Sequence, residues 1–198
     1  MQPNSPSAEY TGQTEVFRAT LRSEKIAARQ ALPADLLAAH ALHIEAALEA
    51  LLADAPATVL GFCWPVRQEF DARPLAERLL SRGGSACLPV VVAEATPLQF
   101  RTWTPGSKMT PDRYGIPTPI GGELIVPDVL LIPLVAFDTR NFRIGYGGGF
   151  FDRTLAALSP RPLAIGVGYE ISRVEDTRPG KYDIALDVIV TEATVQRR

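Results

Sequence analysis

The segment Val129-Leu-Leu-Ile-Pro-Leu-Val-Ala-Phe137 constrains this chain more than any other, because it passes nine positions without a polar side chain. A strand with one wet face alternates apolar and polar residues; one without polar residues must be covered on both faces. The segment therefore predicts a strand over Val129–Phe137 in a mostly parallel sheet lying between helices. It is too short to span a bilayer and contains Pro133, so no membrane role is expected.

The flanking sequence supports that architecture. Helices are predicted over Glu15–Leu32 and from Pro33 towards Ala53, the second carrying Leu36, Leu37, His40, Ile44, Leu48 and Leu51 at helical spacing. A strand at Thr58–Trp64, a helix at Asp71–Arg82 and strands at Ala86–Val92 and Leu98–Trp103 follow. A long Pro- and Gly-rich connection, Thr104–Pro127, is a candidate lid. After the central strand come a loop, Asp138–Gly149, a short helix, Phe150–Leu158, and strands at Leu163–Tyr169 and Asp187–Thr191. Residues 1–12 read as a mobile tail and residues 13–198 as one α/β domain. The formal charge of −2 excludes the broad cationic surface of a nucleic-acid-binding protein. Two cysteines, Cys63 and Cys87, each beside apolar residues, read as buried thiols of a cytoplasmic protein rather than a disulfide.

Between the central strand and its helix lies Arg143-Ile144-Gly145-Tyr146-Gly147-Gly148-Gly149-Phe150-Phe151-Asp152-Arg153. Glycines let main-chain amides approach an anion, and the first N–H groups of a helix lack internal partners and carry the positive end of its dipole. Flanked by two arginines, the segment predicts a phosphate site. It is neither a P-loop, which needs Lys-Ser/Thr after the glycines, nor a dinucleotide fingerprint, which needs glycine at position 150. A plain glycine-rich turn is the alternative. Asp152 suits either the helix dipole or a Mg²⁺ bridging phosphate oxygens.

Several ordered blocks resemble the 5-formyltetrahydrofolate cyclo-ligase (5,10-methenyltetrahydrofolate synthetase) family. They are Pro133–Asp138 with Arg143–Arg153, Arg18-Ala19-Thr20-Leu21-Arg22 with Arg29, Trp64-Pro-Val-Arg-Gln-Glu69-Phe-Asp71, Leu88–Val91, Tyr114–Pro119 and Tyr182–Glu192. The resemblance implies a three-layer α/β/α fold similar to the ribose-5-phosphate isomerase and CoA transferase superfamily. It implies ATP- and Mg²⁺-dependent conversion of 5-formyltetrahydrofolate, with or without a polyglutamate tail, to 5,10-methenyltetrahydrofolate, ADP and phosphate, through an iminium phosphate. Nucleotide contacts are implied at Arg18–Arg22 and at Arg143, Ile144, Gly145, Tyr146, Gly147, Gly148, Gly149, Phe150 and Phe151. Folate contacts are implied at Arg22, Trp64, Glu69 and Tyr146–Phe150, magnesium carboxylates at Asp152 and Asp183, and catalysis at Arg22, Arg143 and Tyr146. A monomer is expected.

The chain departs from the family pattern at Arg18 (usually Lys), Phe151 (usually Tyr) and Thr118 (usually acidic). On residues alone, Glu69 reads equally as a cap for the next helix. Trp64 reads first as packing, and Asp183 as a surface partner of Lys181. His40 and His43 lie on the second helix off the i,i+4 ligand spacing, which argues against a metal site. Two further readings of the whole chain are a ligand-binding paralogue without turnover and an isomerase or CoA-transferase-like enzyme.

Overall fold

In the computed structural model, the described residues are 6–53 and 58–198. Helix α1 (Pro6–Gln30) and helix α2 (Ala34–Leu52) precede strand β1 (Val59–Gly61), which leads through helix α3 (Arg73–Ser81) into β2 (Ser85–Val90) and β3 (Gln99–Thr102). The hairpin β4 (Met109–Pro111) and β5 (Pro117–Pro119) follows. Then come β6 (Val129–Pro133), β7 (Ala136–Phe137), β8 (Arg143–Ile144) and α4 (Phe150–Ala157). Strand β9 (Leu163–Val167), a 3₁₀ turn at Glu170–Ser172, β10 (Val188–Val190) and β11 (Val195–Arg197) complete the chain.

Seven strands form one sheet in the order β11-β10-β9-β6-β1-β2-β3. The five inner strands run parallel, and the antiparallel β3 and β11 close the edges. Along β6, Val129 and Leu131 join Ile44 and Leu48 of α2 and Leu75 and Leu79 of α3 in one core. Leu130 and Ile132 join Leu155 of α4, Phe137 and Leu186 in the other. The uniformly apolar strand thus feeds both cores, as a three-layer sandwich requires.

Five segments differ from the sequence expectation. Helix α1 begins at Pro6, inside the expected tail; the rest of that tail, residues 1–5, lies outside the described residues. The run Val129–Phe137 is two strands, because Pro133 lacks an N–H and Leu134 donates to Val167 O as the last link to the sheet. Beyond it Ala136–Phe137 turns away and pairs with Arg143–Ile144, so the loop Asp138–Gly149 contains a strand of its own. The connection Thr104–Pro127 holds the β4–β5 hairpin, whose turn is built by the Asp112 carboxylate accepting from Tyr114 N and Ile116 N at 2.8 and 2.9 Å. Strand β11, too short and polar to stand out in sequence, survives by pairing with β10.

The chain starts at β1 and moves to one side through β2 and β3. It then returns to the other side at β6. The segments leaving the carboxyl ends of β1 and β6 therefore diverge, and such a switch point opens a crevice where ligands bind in doubly wound sheets.

Candidate functional site

The two segments that leave the switch point carry most of the predicted site residues; Arg18–Arg22 come from α1 and Asp183 from the segment before β10. After β1, a tight turn is closed by Glu69 N donating to Val66 O at 3.0 Å and Val66 N donating to Glu69 Oε2 at 3.1 Å. Within it Arg67 and Gln68 take φ of 50° and 61°, a region that costs a non-glycine residue about 1–3 kcal/mol. The strained turn directs the Glu69 carboxylate inward, where its side chain is 5% exposed. There the Tyr146 hydroxyl, from the glycine loop, donates to Oε1 at 2.5 Å. Glu69 does not cap α3: the N-cap is Ala72, and Asp71 takes the Arg73 amide at 3.0 Å. Burial pushes the Glu69 carboxyl above the usual range, partly opposed by bonds from Tyr146 and Val66 and by the Arg29 and Arg67 charges. The Tyr146 hydroxyl is pushed up to about 12 by burial and by the Glu69 charge, so it stays a donor.

The glycine loop leads directly into α4. Gly147 and Gly149 adopt φ of +97° and +61°, the left-handed region where a Cβ is strained. A Cβ at Gly148 would sit 2.7 Å from the Phe150 ring. No side chain among the described residues caps the α4 N-terminus, so its first amides remain available to an anion. Arg153 donates to Gly148 O and lies over the Phe150 ring, while its Nε is buried without a partner among the described residues. Arg22 reaches from α1 to donate Nε to Gly145 O at 2.7 Å, its guanidinium beneath Gly147. Burial, then the Arg18 charge, lowers the Arg22 pKa.

Asp152 and Asp183 gather around Arg143. Asp152 accepts from Ile184 N at 2.9 Å and lies 3.2 Å from Arg143 Nη2, while Arg143 Nη1 donates to Ile184 O at 3.1 Å. Asp183 pairs with Arg18 at 2.5 Å and accepts from Gly180 N at 2.7 Å. The sequence-local pair with Lys181 does not form; that ammonium lies over the Tyr182 ring instead. Arg143 is only 7% exposed and spends its guanidinium on Ile184 and Asp152, so it stands behind the loop. No group of three His, Cys, Asp or Glu side chains gathers among the described residues. Two carboxylates are nevertheless a fitting donor set for Mg²⁺, which takes one or two from protein and the rest from phosphate and water.

Other predicted residues divide. Ala19 and Thr20 are exposed on α1, Leu21 is half-buried, and Ile144 is fully buried, leaving it only main-chain atoms to offer. Trp64 is half-buried against the α2–α3 core, stacked under the Arg73 guanidinium at 4.6 Å. It also lines a cavity of about 300 Å³ with Trp103, Asp71 and Met109, so packing and ligand contact are both open to it. Phe151 is half-buried and packs against the core that contains Leu155 of α4. Thr118 is buried at 9% exposure with its hydroxyl 3.5 Å from Pro89 O, a place that disfavours a carboxylate. Cys63 and Cys87 are both free, the first half-buried. His40 acquires a carboxylate only through the fold, Glu192 at 3.8 Å.

Sequence reasoning gave no site role to two residues that lie in its motif blocks. Tyr114, at the tip of the β4–β5 hairpin, sets its ring 6.2 Å from that of Phe150, which brings the candidate lid to the mouth of the glycine loop. Arg29 donates to Arg67 O, Leu134 O and Tyr146 Oη at 2.9, 3.0 and 2.9 Å. The available signal was spacing: Arg18, Arg22, Lys25 and Arg29 fall on one face of α1. Each of the four crosses to a loop.

A family model described as the 5-formyltetrahydrofolate cyclo-ligase family matches residues 14–192. A 5-formyltetrahydrofolate cyclo-ligase of Escherichia coli (strain K12) is 35% identical over 134 residues, 64% of this chain and 74% of the relative. The protein of that name from Haemophilus influenzae is 31% identical over 130 residues, 62% and 70% of the two chains. The solved structure of Aquifex aeolicus 5,10-methenyltetrahydrofolate synthetase is similar with a TM-score of 0.78 at 27% identity, over 91% of this chain and 92% of that one. A synthetase of the same name from Mycoplasma pneumoniae shares the fold at a TM-score of 0.72 and 23% identity, over 88% and 98%. The resemblance read from the motifs is borne out at the level of the family: the chain belongs to the 5-formyltetrahydrofolate cyclo-ligase family and is an enzyme of the ligase class.

Proposed function

We propose that the chain converts 5-formyltetrahydrofolate to 5,10-methenyltetrahydrofolate at the expense of ATP. The observation that carries this reading is the 2.5 Å bond from Tyr146 to Glu69, which joins the glycine loop to a buried carboxylate. A carboxylate suits the N–H edge of a pterin, and uncapped amides beside left-handed glycines suit a phosphate. Substrates that must exchange a phosphoryl group need those two recognition elements side by side.

The formyl oxygen is a poor leaving group. Its attack on the γ-phosphorus forms an O–P bond and releases ADP, leaving an iminium phosphate at N5. N10 then attacks the former formyl carbon, the C–O bond breaks, phosphate departs and N10 loses its proton. Such steps ask for positioning and charge stabilisation rather than a protein nucleophile. Arg22, held against Gly145 and Gly147, is the guanidinium placed to meet the transferring group. Tyr146 orients Glu69, and Arg143 acts through Asp152. Asp152 and Asp183 are the residues that would hold Mg²⁺, whose charge offsets that of the phosphate oxygens.

Purified protein supplied with Mg-ATP and 5-formyltetrahydrofolate should develop methenyltetrahydrofolate absorbance, dependent on all three components. Absorbance no greater than in the enzyme-free control overturns the reading.

A further inference from the structure

Arg29 takes no part in the reaction as outlined, yet at 2% exposure it is buried more deeply than Arg143. A buried guanidinium needs several acceptors to offset its lost hydration. Arg29 finds them on three segments: the Arg67 carbonyl in the strained turn after β1, the Leu134 carbonyl at the end of β6, and the Tyr146 hydroxyl of the glycine loop. Its Nη2 also lies 3.8 Å from Glu69 Oε1. From the other side the Arg67 guanidinium lies 5.3 Å over the Tyr146 ring. One side chain thus touches both walls of the switch-point crevice and the carboxylate between them.

We propose that Arg29 is the positioning residue of the pterin subsite: its guanidinium pins the strained turn that presents Glu69 and, through Tyr146, ties the place and charge of that carboxylate to the glycine loop. This rests on Glu69 being the pterin carboxylate. Two physical arguments carry it. Arg67 and Gln68 hold left-handed conformations that relax unless something outside the turn fixes them, and the Arg29 bond to Arg67 O at 2.9 Å is such a fixture. Glu69 is also a nearly buried charge, and a buried carboxylate that loses its partner takes up a proton.

Among the described residues, the groups facing Glu69 are Arg29 from α1, Arg67 and Cys63 from the segment after β1, Tyr146 from the glycine loop and Tyr169 after β9. Burial, with the Glu69 charge next, holds the Cys63 thiol neutral. Burial also raises Tyr169, as it raises Tyr146. Neither tyrosine nor the thiol can supply positive charge, so only Arg29 and Arg67 do. Taking away the Arg29 charge therefore moves the Glu69 carboxyl further upward, and folate binding that needs the carboxylate is lost at a higher pH.

The test uses Arg29→Gln and Arg29→Lys in the full chain, with kcat and KM for 5-formyltetrahydrofolate and for Mg-ATP measured from acid to neutral pH. Arg29→Gln should shift the acid limb of kcat/KM for the folate upward by about one pH unit, equivalent to about tenfold at a fixed pH on that limb. KM for Mg-ATP should stay within about twofold. Arg29→Lys keeps a charge but not the planar fork, so the limb should return towards the wild-type position while the folate KM stays several-fold high. If Arg29→Gln fails to fold, Arg29→Lys decides alone: an unchanged folate KM overturns the pinning role. An unshifted limb in Arg29→Gln, or equal loss towards folate and Mg-ATP, reduces Arg29 to a structural residue and overturns the inference. A wild-type enzyme inactive with the folate overturns the functional reading and this inference together. An active wild type with unaffected variants overturns this inference alone.

Discussion

Asp152 serves two unlike partners, the Ile184 amide and the buried Arg143 guanidinium, so its carboxylate both fastens the segment before β10 and carries charge to the proposed nucleotide side. Replacing it by alanine would remove both roles at once. Asp152→Asn separates them, because an amide oxygen can still accept from Ile184 N. Turnover should fall by about a hundredfold or more, as when a charge-stabilising group is lost. The uncompensated Arg143 should lower stability by about 1–3 kcal/mol. A turnover assay beside a thermal melt checks this; retained turnover removes Asp152 from the proposed metal site. At the same scale, Glu69 and Asp183 show why short-range reading stalls. Each has a plausible partner within three positions, and each is claimed by a residue more than seventy positions away, Tyr146 and Arg18 respectively.

Among the elements, the β7–β8 hairpin shows how a two-strand ladder sets the start of the glycine loop. Its turn is organised by Asp138, fully buried, which accepts from Arg140 N and Phe142 N and from both the amide and hydroxyl of Thr177. Burial works to raise this carboxyl, but the bonds from Thr177, Arg140 and Phe142 outweigh it and hold it below the ordinary range. A depressed folded pKa contributes stability that is present above the unfolded value, about 3.9, and is lost as pH falls through the lower folded value. Asp138→Asn should therefore lower the urea midpoint at neutral pH and flatten its fall below about pH 4; an unchanged acid limb would remove Asp138 as its source. Helix α1 is the other organising element. Its basic stripe bonds to loops around the site, so it acts as a strap across the crevice while α2 and α3 build the core.

For the whole molecule, the sheet order matters more than any single contact, because the return from β3 to β6 is what parts the two loops. The sheet that holds them apart is packed without slack. A Cβ on Gly166, in the middle of β9, would meet Leu186 Cδ1 at 2.6 Å and Leu134 Cδ2 at 2.9 Å. Gly166→Ala should cost about 1–3 kcal/mol. That corresponds to about 2–4 °C of thermal midpoint per kcal/mol for a chain of this size. Turnover well below the new midpoint should persist, and a wild-type melting curve would show that the site yields freely.

What the sequence by itself determined is local and periodic. The apolar run at 129–137 required a covered sheet, the four glycines within 145–149 before a helix required an open main chain, and the ordered motif blocks indicated the family. Hydrophobic period and backbone permissiveness are properties of a few adjacent residues, so they can be read from a string. Tertiary structure alone decided that Pro133 splits that run, that Arg143 sinks behind the loop while Arg22 stays near its glycines, and that Arg29 holds Glu69 and Tyr146 together. Those outcomes depend on which segments the sheet order brings side by side and on how much water reaches each charge, and neither quantity exists before the chain has folded.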